Sequence, residues 1–245
     1  MAIVTCNAIH FQAVQAVLFD KDGTLANSEG FLRNLGQRRS RLIDAQIPGV
    51  GEPLLMAFGV EGDRIDPTGL LAVGTRYENE IAAAAYIAET GRSWMESLGI
   101  ARNAFIEADR VTPRKADETP LMEGAIELLQ TLLTAKVRVG ILSSDSTSNV
   151  EDFVQRYELT PYIHLCMGVD RAPAKPDPAL FNQACEAMGV LPNQTLMVGD
   201  STADILMAQA AGAIGCVGIT GGWMQTIQLN QADAVIQRLA ELAIV

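Results

Sequence analysis

The sequence predicts an α/β fold, with a Rossmann-like parallel sheet as the core and an α-helical cap domain inserted into it. Short apolar runs alternate with helical segments through the second half of the chain, and acidic or hydroxyl residues follow several of those runs. Between residues 28 and 118 the alternation disappears and only helical patterns remain. Strands separated by helices imply βαβ units, in which helices cover both faces of a parallel sheet.

The core elements follow from the spacing of the apolar residues. The predicted strands are AVQAVLF (13–19), VRVGIL (137–142), IHLCMG (163–168), TLMVG (195–199) and AIGCVGI (213–219). The predicted helices are PLMEGAIELLQTLL (120–133), NVEDFVQRY (149–157), DPALFNQACEAMG (177–189) and TADILMAQAAG (202–212), the last ending at Gly212. The first twelve residues are compatible with a short extra strand. We expect residues 1–27 and 119–245 to form the core.

The inserted segment, residues 28–118, is predicted to be the helical cap. Its helices are GFLRNLGQRRSRLIDAQI (30–47), YENEIAAAAYIAET (77–90) and SWMESLGIARNAFIEADRV (93–111). Turn sequences at Pro48-Gly49 and Asp66-Pro67 separate helical stretches, and no convincing strand pattern is present.

Composition excludes several classes of function. The formal net charge of −11 argues against a sequence-independent nucleic-acid binder and against attachment to an anionic membrane. No apolar run approaches the roughly 18 residues that span a bilayer. The first basic residue is Lys21, so the positive start of a signal peptide is missing, and four cysteines without ligand spacing are typical of reduced thiols. These features predict a cytoplasmic protein without nucleic-acid or membrane partners.

Polar side chains follow four of the predicted elements. Ligands of open α/β sheets bind beyond the carboxyl ends of the strands, so these positions are the candidate site. They are Asp20, Asp22 and Thr24 after the first strand, Ser143 and Ser144 after the second, Lys175 in the loop after the third, and Asp200, Ser201 and Asp204 after the fourth.

This set of side chains favours magnesium-assisted phosphoryl transfer. Two neighbouring carboxylates repel each other, and burying them is costly unless a positive charge joins them. Mg²⁺ accepts carboxylate oxygens and keeps positions for water and phosphate, while a hydroxyl and an ammonium can hold phosphoryl oxygens. Each part also has a purely structural interpretation: Asp200 or Ser143 as a helix cap, and Lys175 as a surface lysine. The Asp20-Lys21-Asp22-Gly23-Thr24 stretch is more specific.

Together, the four motifs resemble those of the haloacid dehalogenase-like superfamily over essentially the whole chain. LFDKDGT looks like its first motif, GILSSD its second, AKPDP its third and VGDSTAD its fourth. The insertion resembles the C1-type cap of its phosphoglycolate phosphatase and β-phosphoglucomutase relatives.

The resemblance implies a role for each motif residue. Asp20 would be the nucleophile that forms an aspartyl-phosphate, and Asp22 the general acid and base. Ser143 would hydrogen-bond the phosphoryl group, with a slip to Ser144 left open. Lys175 would neutralise the charge of Asp20 and of the transferring group.

The resemblance also implies a Mg²⁺ site. Its ligands would be Asp20, the backbone carbonyl of Asp22, and Asp200. Four residues are expected to support the site from around it: Asp204, Thr24, Ser144 and Ser201.

The implied function is hydrolysis of a small phosphorylated metabolite by a Mg²⁺-dependent phosphatase. A phosphomutase with the same chemistry is the alternative, and a signalling receiver domain is disfavoured by the chain's length and by the insertion. Asp22 argues against carbon–halogen cleavage, because relatives with that activity lack this aspartate. Lys21 occupies a variable motif position and is expected to be solvated or to cap a helix.

The substrate contacts are expected in the cap. The segment DPTGLLAVGTRYENE (66–80) is the candidate loop facing the site, and Arg76 in it could pair with a substrate carboxylate or second phosphate. A surface pair between Arg76 and Glu80, four residues apart, is the alternative.

Overall fold

The computed structural model describes residues 2–245 and contains eleven strands, ten α-helices and two short 3-10 helices (Pro192–Gln194 and Leu239–Glu241) within them. The strands are β1 (Ala2–Cys6), β2 (Ile9–Val14), β3 (Ala16–Phe19), β4 (Val60–Glu61), β5 (Arg64–Ile65), β6 (Arg138–Leu142), β7 (Leu165–Met167), β8 (Thr195–Gly199), β9 (Gly215–Ile219), β10 (Ala234–Ile236) and β11 (Leu242–Ile244). The helices are α1 (Glu29–Asp44), α2 (Gly51–Phe58), α3 (Leu70–Val73), α4 (Arg76–Glu89), α5 (Trp94–Val111), α6 (Lys115–Glu118), α7 (Ala125–Thr134), α8 (Thr147–Arg156), α9 (Pro178–Met188) and α10 (Thr202–Ala210).

The main sheet has six parallel strands in the order β10-β9-β8-β3-β6-β7. Strand β3 lies in the middle, with Phe19 opposite Ile141 of β6 and Val198 of β8. The carboxyl ends of these three strands therefore lie side by side at one edge. This arrangement confirms the predicted α/β fold class.

Both faces of the sheet are covered by helices. Along β3 the side chains alternate: Val17 and Phe19 belong to the apolar cluster that includes α7 and α8, while Ala16 and Leu18 belong to the cluster that includes α9 and α10. All four β3 side chains are buried. The continuous apolar run is thus the pattern of a strand buried on both sides.

Local sequence signals set the ends of α9. Asp177 caps its first turn by accepting the Ala179 N–H at 2.9 Å, and Pro178 occupies the first helical position, where no N–H is needed. Gly189 ends the helix in the left-handed conformation, with φ of 63°.

Helices α1 to α6 lie between β3 and α7 in the chain. Side chains of α1, α2, α4 and α5 form an apolar cluster separate from the two sheet clusters, and Trp223 is its one buried member from the C-terminal half. We propose on this basis the division predicted from the sequence, with 28–118 as cap and 1–27 plus 119–245 as core. The segment that enters the insertion lies beside the segment that leaves it, because the Asn27 N–H donates to the Pro120 carbonyl at 2.8 Å.

Several predicted strands need correction. The predicted strand 13–19 is divided at Gln15, because Ala13 and Val14 are the last two residues of β2 and β3 begins at Ala16. The first residues form two strands rather than one, and β1 pairs with both β2 and β11 in a small antiparallel sheet. The cap contains the short antiparallel pair β4–β5, which the sequence analysis did not predict.

Within the described residues, no helix is long and apolar enough to cross a bilayer. The four cysteines are all unpaired thiols. Burial raises the pKa of Cys216 to about 12, so this thiol stays protonated and inert.

Candidate active site

Asp20, Ser143 and Asp200 follow the three adjacent strands β3, β6 and β8, and all three are buried. The Asp20 N–H donates to the Val198 carbonyl of β8 at 2.9 Å, which extends the ladder to the residue that carries the carboxylate. The parallel sheet therefore brings Asp20 close to two residues that are more than a hundred positions away from it in the chain.

Lys175 joins two of the carboxylates. Its Nζ lies 2.5 Å from Asp20 Oδ1 and 2.6 Å from Asp204 Oδ1, and its side chain is only 3% exposed. Burial alone would lower the pKa of Lys175, but the two carboxylates raise it above its ordinary value, so the ammonium stays charged. Lys175 is therefore a buried, paired lysine and not a surface lysine.

Asp200 receives a hydrogen bond at each carboxylate oxygen. The Thr24 hydroxyl donates to Oδ1 at 3.0 Å, and the Trp223 indole Nε1–H donates to Oδ2 at 2.7 Å. Burial, followed by repulsion from Asp20 and Asp204, raises the pKa of Asp200 well above its usual range. Burial also raises the pKa of Asp20, to about 6, although the Lys175 ammonium acts in the opposite direction.

Ser201 and Asp204 form a capping box at the start of α10. The Asp204 N–H donates to Ser201 Oγ at 3.2 Å, and the Ser201 hydroxyl donates to Asp204 Oδ2 at 2.6 Å. Asp204 is buried and also faces Lys175, so the helix cap and the ion pair use the two oxygens of one carboxylate.

Asp22 is held by two lysines and a serine. Lys21 Nζ lies 2.6 Å from Oδ1, Lys115 Nζ lies 2.7 Å from Oδ2, and the Ser28 hydroxyl donates to Oδ1 at 2.5 Å. Burial would raise the pKa of Asp22, but the ammonium groups of Lys115 and Lys21 lower it to about 2. The expectation of a solvated Lys21 is wrong: its side chain is 1% exposed and paired.

Lys115 is a functional candidate that the sequence did not predict. It lies at the start of α6, where the chain returns from the cap, and it also contacts Asp145 Oδ2 at 2.7 Å. Lys21 Nζ lies 3.3 Å from the same Asp145 oxygen. Each of the two lysines therefore contacts both Asp22 and Asp145. Lys115 is 93 residues from Asp22 in sequence and belongs to no motif, so only the folded chain reveals the contact.

The two serines after β6 face different partners. Ser143 is buried, and its Oγ accepts the Asp145 N–H at 3.2 Å. The Ser144 hydroxyl donates to the Val73 carbonyl of the cap at 3.2 Å. Ser143 therefore lies at the strand end beside Asp20, while Ser144 contacts the cap.

A cleft of about 1080 Å³ opens between the helical insertion and the sheet edge. From the insertion and its return segment it is lined by Phe31, Leu35, Arg39, Thr75, Arg76, Tyr77, Glu78, Glu80, Asp109, Thr112, Pro113, Arg114 and Lys115. From the sheet side it is lined by Ser144, Asp145, Ser146, Asn149, Asp152, Val169, Asp170, Arg171, Ala172 and Ala174. Its size is that of a small-molecule site, and it reaches the Lys115–Asp145 pair beside Asp22.

Arg76 lies in this cleft and in a network of charges. Its Nε is 2.9 Å from Glu80 Oε1, which is the pair between residues four positions apart that the sequence offered as an alternative to substrate binding. Its guanidinium also contacts Asp109. Asp109 in turn pairs with Arg39 at 3.6 Å, and the Arg39 guanidinium stacks on the ring of Phe105 at 4.2 Å. Burial lowers the pKa of Arg39 to about 10, which leaves it charged at neutral pH. The network gives the cap side of the cleft two arginines.

The donor set at the sheet edge fits a hard divalent cation. Asp20, Asp200 and Asp204 are three buried carboxylates, and the Lys175 ammonium pairs with two of them, Asp20 and Asp204, so negative charge is in excess. Within residues 2–245, no three His, Cys, Asp or Glu side chains are arranged to hold an ion. A metal would therefore depend on the Asp20 and Asp200 carboxylates together with a main-chain oxygen such as that of Asp22. An all-oxygen set suits Mg²⁺.

Comparisons with known proteins agree with this architecture. A family model described as haloacid dehalogenase-like hydrolase matches residues 14–212. The phosphoglycolate phosphatase of Shigella boydii is 29% identical over 252 residues, covering 95% of this chain and 92% of that protein. The phosphoglycolate phosphatase of Escherichia coli K12 is 28% identical with the same coverage.

Solved structures share the fold at low sequence identity. A structure described as a haloacid dehalogenase-like hydrolase from Bacteroides fragilis superposes with a TM-score of 0.67 at 22% identity, over 93% of this chain and 99% of that one. CbbY from Rhodobacter sphaeroides, solved in complex with phosphate, gives 0.55 at 18% identity, over 93% and 98%.

Proposed function

The chain belongs to the haloacid dehalogenase-like hydrolase family, and from this premise we propose that it is a Mg²⁺-dependent phosphatase that hydrolyses a small phosphorylated metabolite. This membership confirms the family and the enzyme class expected from the sequence. The activity named for the curated relatives supports phosphoric monoester hydrolysis in particular. The cytoplasmic location remains a prediction.

One observation carries the proposal: a buried lysine pairs with the first of two aspartates at the carboxyl end of the central strand. Lys175 at 2.5 Å keeps Asp20 ionised in a buried position, where a carboxylate can attack phosphorus. Attack would form an aspartyl-phosphate on Asp20 and release the alcohol. Lys175 would then face the added phosphoryl charge, and the Ser143 hydroxyl could donate to one of its oxygens.

Asp22 would serve as the proton carrier in both halves of the reaction. It would protonate the leaving oxygen and later take a proton from the attacking water. In the resting protein its low pKa keeps it ionised. A phosphate group bound beside it would raise that pKa, because like charges disfavour the ionised form.

The residues that would hold Mg²⁺ are Asp20, Asp200 and the carbonyl of Asp22. The ion would supply electrostatic stabilisation of the phosphoryl oxygens as negative charge develops on them. Thr24 and Trp223 already orient Asp200, and Asp204 fixes Lys175 beside Asp20.

The cleft supports a substrate that carries a second anionic group. Arg39 and Arg76 lie on its cap side, and an arginine binds a carboxylate or phosphate through two parallel hydrogen bonds. Phosphoglycolate, the substrate in the names of the curated relatives, has such a carboxylate. We therefore propose it as the first substrate to test.

Phosphate release with and without the metal tests the proposed function. We expect hydrolysis of p-nitrophenyl phosphate and of phosphoglycolate in Mg²⁺, and none after chelation with EDTA. Ca²⁺ should support little turnover, because it is larger and tolerates higher coordination numbers. The Asp200→Asn variant is the matched control and should lose activity at every Mg²⁺ concentration tested. Full activity in excess EDTA after extensive dialysis would refute the metal requirement.

A further inference from the structure

Trp223 joins the proposed metal ligand Asp200 to the cap. It lies in the loop after β9, and its indole N–H donates to Asp200 Oδ2 at 2.7 Å. The residue is 7% exposed, and its ring belongs to the apolar cluster formed by the cap helices, not to either cluster of the sheet. One side chain thus has its polar atom at the sheet edge and its apolar surface in the cap.

The residue after Trp223 is fixed to the cap by a second contact. The Met224 N–H donates to Glu29 Oε2 at 2.7 Å, and Glu29 lies at the start of α1. The other Glu29 oxygen accepts the Ile65 N–H of β5 at 3.2 Å. Glu29 is 5% exposed, so its carboxylate links two backbone segments in a buried place.

The loop also packs against the backbone that carries Asp22. A Cβ on Gly222 would lie 1.8 Å from the Gly23 carbonyl oxygen, a distance that no side chain tolerates. A Cβ on Gly23 would lie 2.5 Å from Trp223 Nε1 and 2.6 Å from Asp200 Oδ2. Only glycine at both positions permits the approach that places the indole on the carboxylate.

We propose that Trp223 is a positioning residue that fixes Asp200 for metal binding and couples this carboxylate to the cap. The inference rests on the proposed Mg²⁺ site. A carboxylate has about four lone-pair sites, so the bonds from Trp223 and Thr24 leave others for a cation. A hydrogen bond to a ligating carboxylate favours its ionised form and holds its orientation, and both effects strengthen metal binding.

A purely structural interpretation is that the buried indole N–H merely needs an acceptor. The two interpretations differ in what the N–H does for the metal. A packing role predicts that removal of the N–H changes the stability of the protein and leaves its affinity for Mg²⁺ as it was.

The first measurement is calorimetric titration of the full chain with Mg²⁺ alone. Trp223→Phe keeps most of the apolar surface in the cap cluster and removes the N–H. We expect its Kd for Mg²⁺ to rise about 10- to 100-fold, the usual cost of losing such a partner. Trp94→Phe is the matched control, because Trp94 is 46% exposed on the cap, and its Kd should equal that of the wild type.

The second measurement needs no change at Trp223. In the Trp94→Phe variant the indole of Trp223 is the sole tryptophan fluorophore, since the chain has two tryptophans. Mg²⁺ should change its emission in a saturable way, with the Kd found by calorimetry. This result would support the contact even if Trp223→Phe failed to fold.

Three outcomes would overturn the inference, and they separate it from the proposed function. A wild-type Kd in Trp223→Phe, or an emission that ignores saturating Mg²⁺, would overturn the role of Trp223 alone. Absence of Mg²⁺ binding in the wild-type protein would overturn both the proposed metal site and the role of Trp223.

Discussion

At the scale of single residues, Asp22 is the most closely held side chain of the site. Two ammonium groups and one hydroxyl contact its carboxylate, and both ammonium groups, those of Lys21 and Lys115, also contact Asp145. Because Lys115 begins the helix that leads back from the cap, the proposed proton carrier contacts both the core and the insertion.

Lys115→Met tests whether this contact serves proton transfer. The variant keeps the apolar stem and removes the charge that Asp22 and Asp145 share. We expect a loss of about 3 kcal/mol in the free energy of unfolding, since a buried pair loses one partner while Lys21 remains. Removal of the ammonium raises the pKa of Asp22, and it also takes away the contact that fixes the orientation of its carboxyl group. Because of the lost orientation we expect hydrolysis of an alkyl phosphate to fall by about 10²-fold, and that of p-nitrophenyl phosphate much less, since a nitrophenolate leaves without a proton.

Denaturant unfolding and steady-state kinetics on both substrates provide the measurements. Lys136→Met is the matched control, because Lys136 lies outside the site and makes no ion pair in the described structure. Equal losses on the two substrates would contradict the role in proton transfer and leave Lys115 as a structural residue.

The site residues that belong to sequence motifs could be predicted, and those outside the motifs could not. Asp20 and Asp200 were predictable because each follows an apolar strand directly, and parallel strands share one carboxyl edge. Lys115 and Trp223 were not, because their contacts depend on how the cap and a C-terminal loop pack against that edge. The burial of Lys21 was not predicted, because a lysine between two aspartates in the sequence can be exposed or buried equally well.

At the scale of elements, segments with a clear apolar pattern were predicted well, and strands of two or three residues were not. TLMVG is strand β8 to the residue, and the predicted helix 93–111 matches α5 at Trp94–Val111. The pair β4–β5 has two residues a strand, and β10 and β11 have three each, too few to show a period. The β1–β2–β11 sheet depends on pairing between the two ends of the chain, which no local pattern reports.

Helix α4 presents Arg76 to the cleft from its first turn, where Thr75 and Glu78 form a capping box. If Arg76 binds a second anion of the substrate, Arg76→Ala should raise KM for phosphoglycolate about tenfold or more, the loss expected for a charged hydrogen bond. The KM for p-nitrophenyl phosphate, which has no second anion, should change little. The measurement is steady-state kinetics on both substrates.

Arg110→Ala is the control for that prediction. Arg110 is an arginine of α5 whose side chain is 71% exposed and does not line the cleft. It should leave both KM values unchanged. Parallel increases for both substrates in Arg76→Ala would mean that Arg76 supports the cap through Glu80 and Asp109 and does not contact the substrate.

At the scale of the whole molecule, the site combines residues of the sheet edge with residues of the helical insertion. The sheet edge supplies Asp20, Lys175 and Asp200, while the neighbouring cleft, which Ser144 and Asp145 line from the sheet side, is roofed by the insertion. Contacts across the boundary include Ser144 with Val73, Met224 with Glu29, and Lys115 with Asp22. A substrate in the cleft would contact the cap together with the Lys115–Asp145 pair beside Asp22, which favours selection of a particular phosphate ester.

The central claim is that Asp20 carries the phosphoryl group between two chemical steps, and rapid-quench kinetics of Asp22→Asn with p-nitrophenyl phosphate and Mg²⁺ test it most directly. The aryl group leaves without a proton, but breakdown of the intermediate needs Asp22 as a base. We predict a burst of nitrophenol about equal to the enzyme concentration, followed by slow turnover, and no burst when Asp20→Asn is added. A burst that survives in the double variant would contradict covalent catalysis at Asp20, and steady turnover without a burst in Asp22→Asn would contradict the role of Asp22 as the base of the second step.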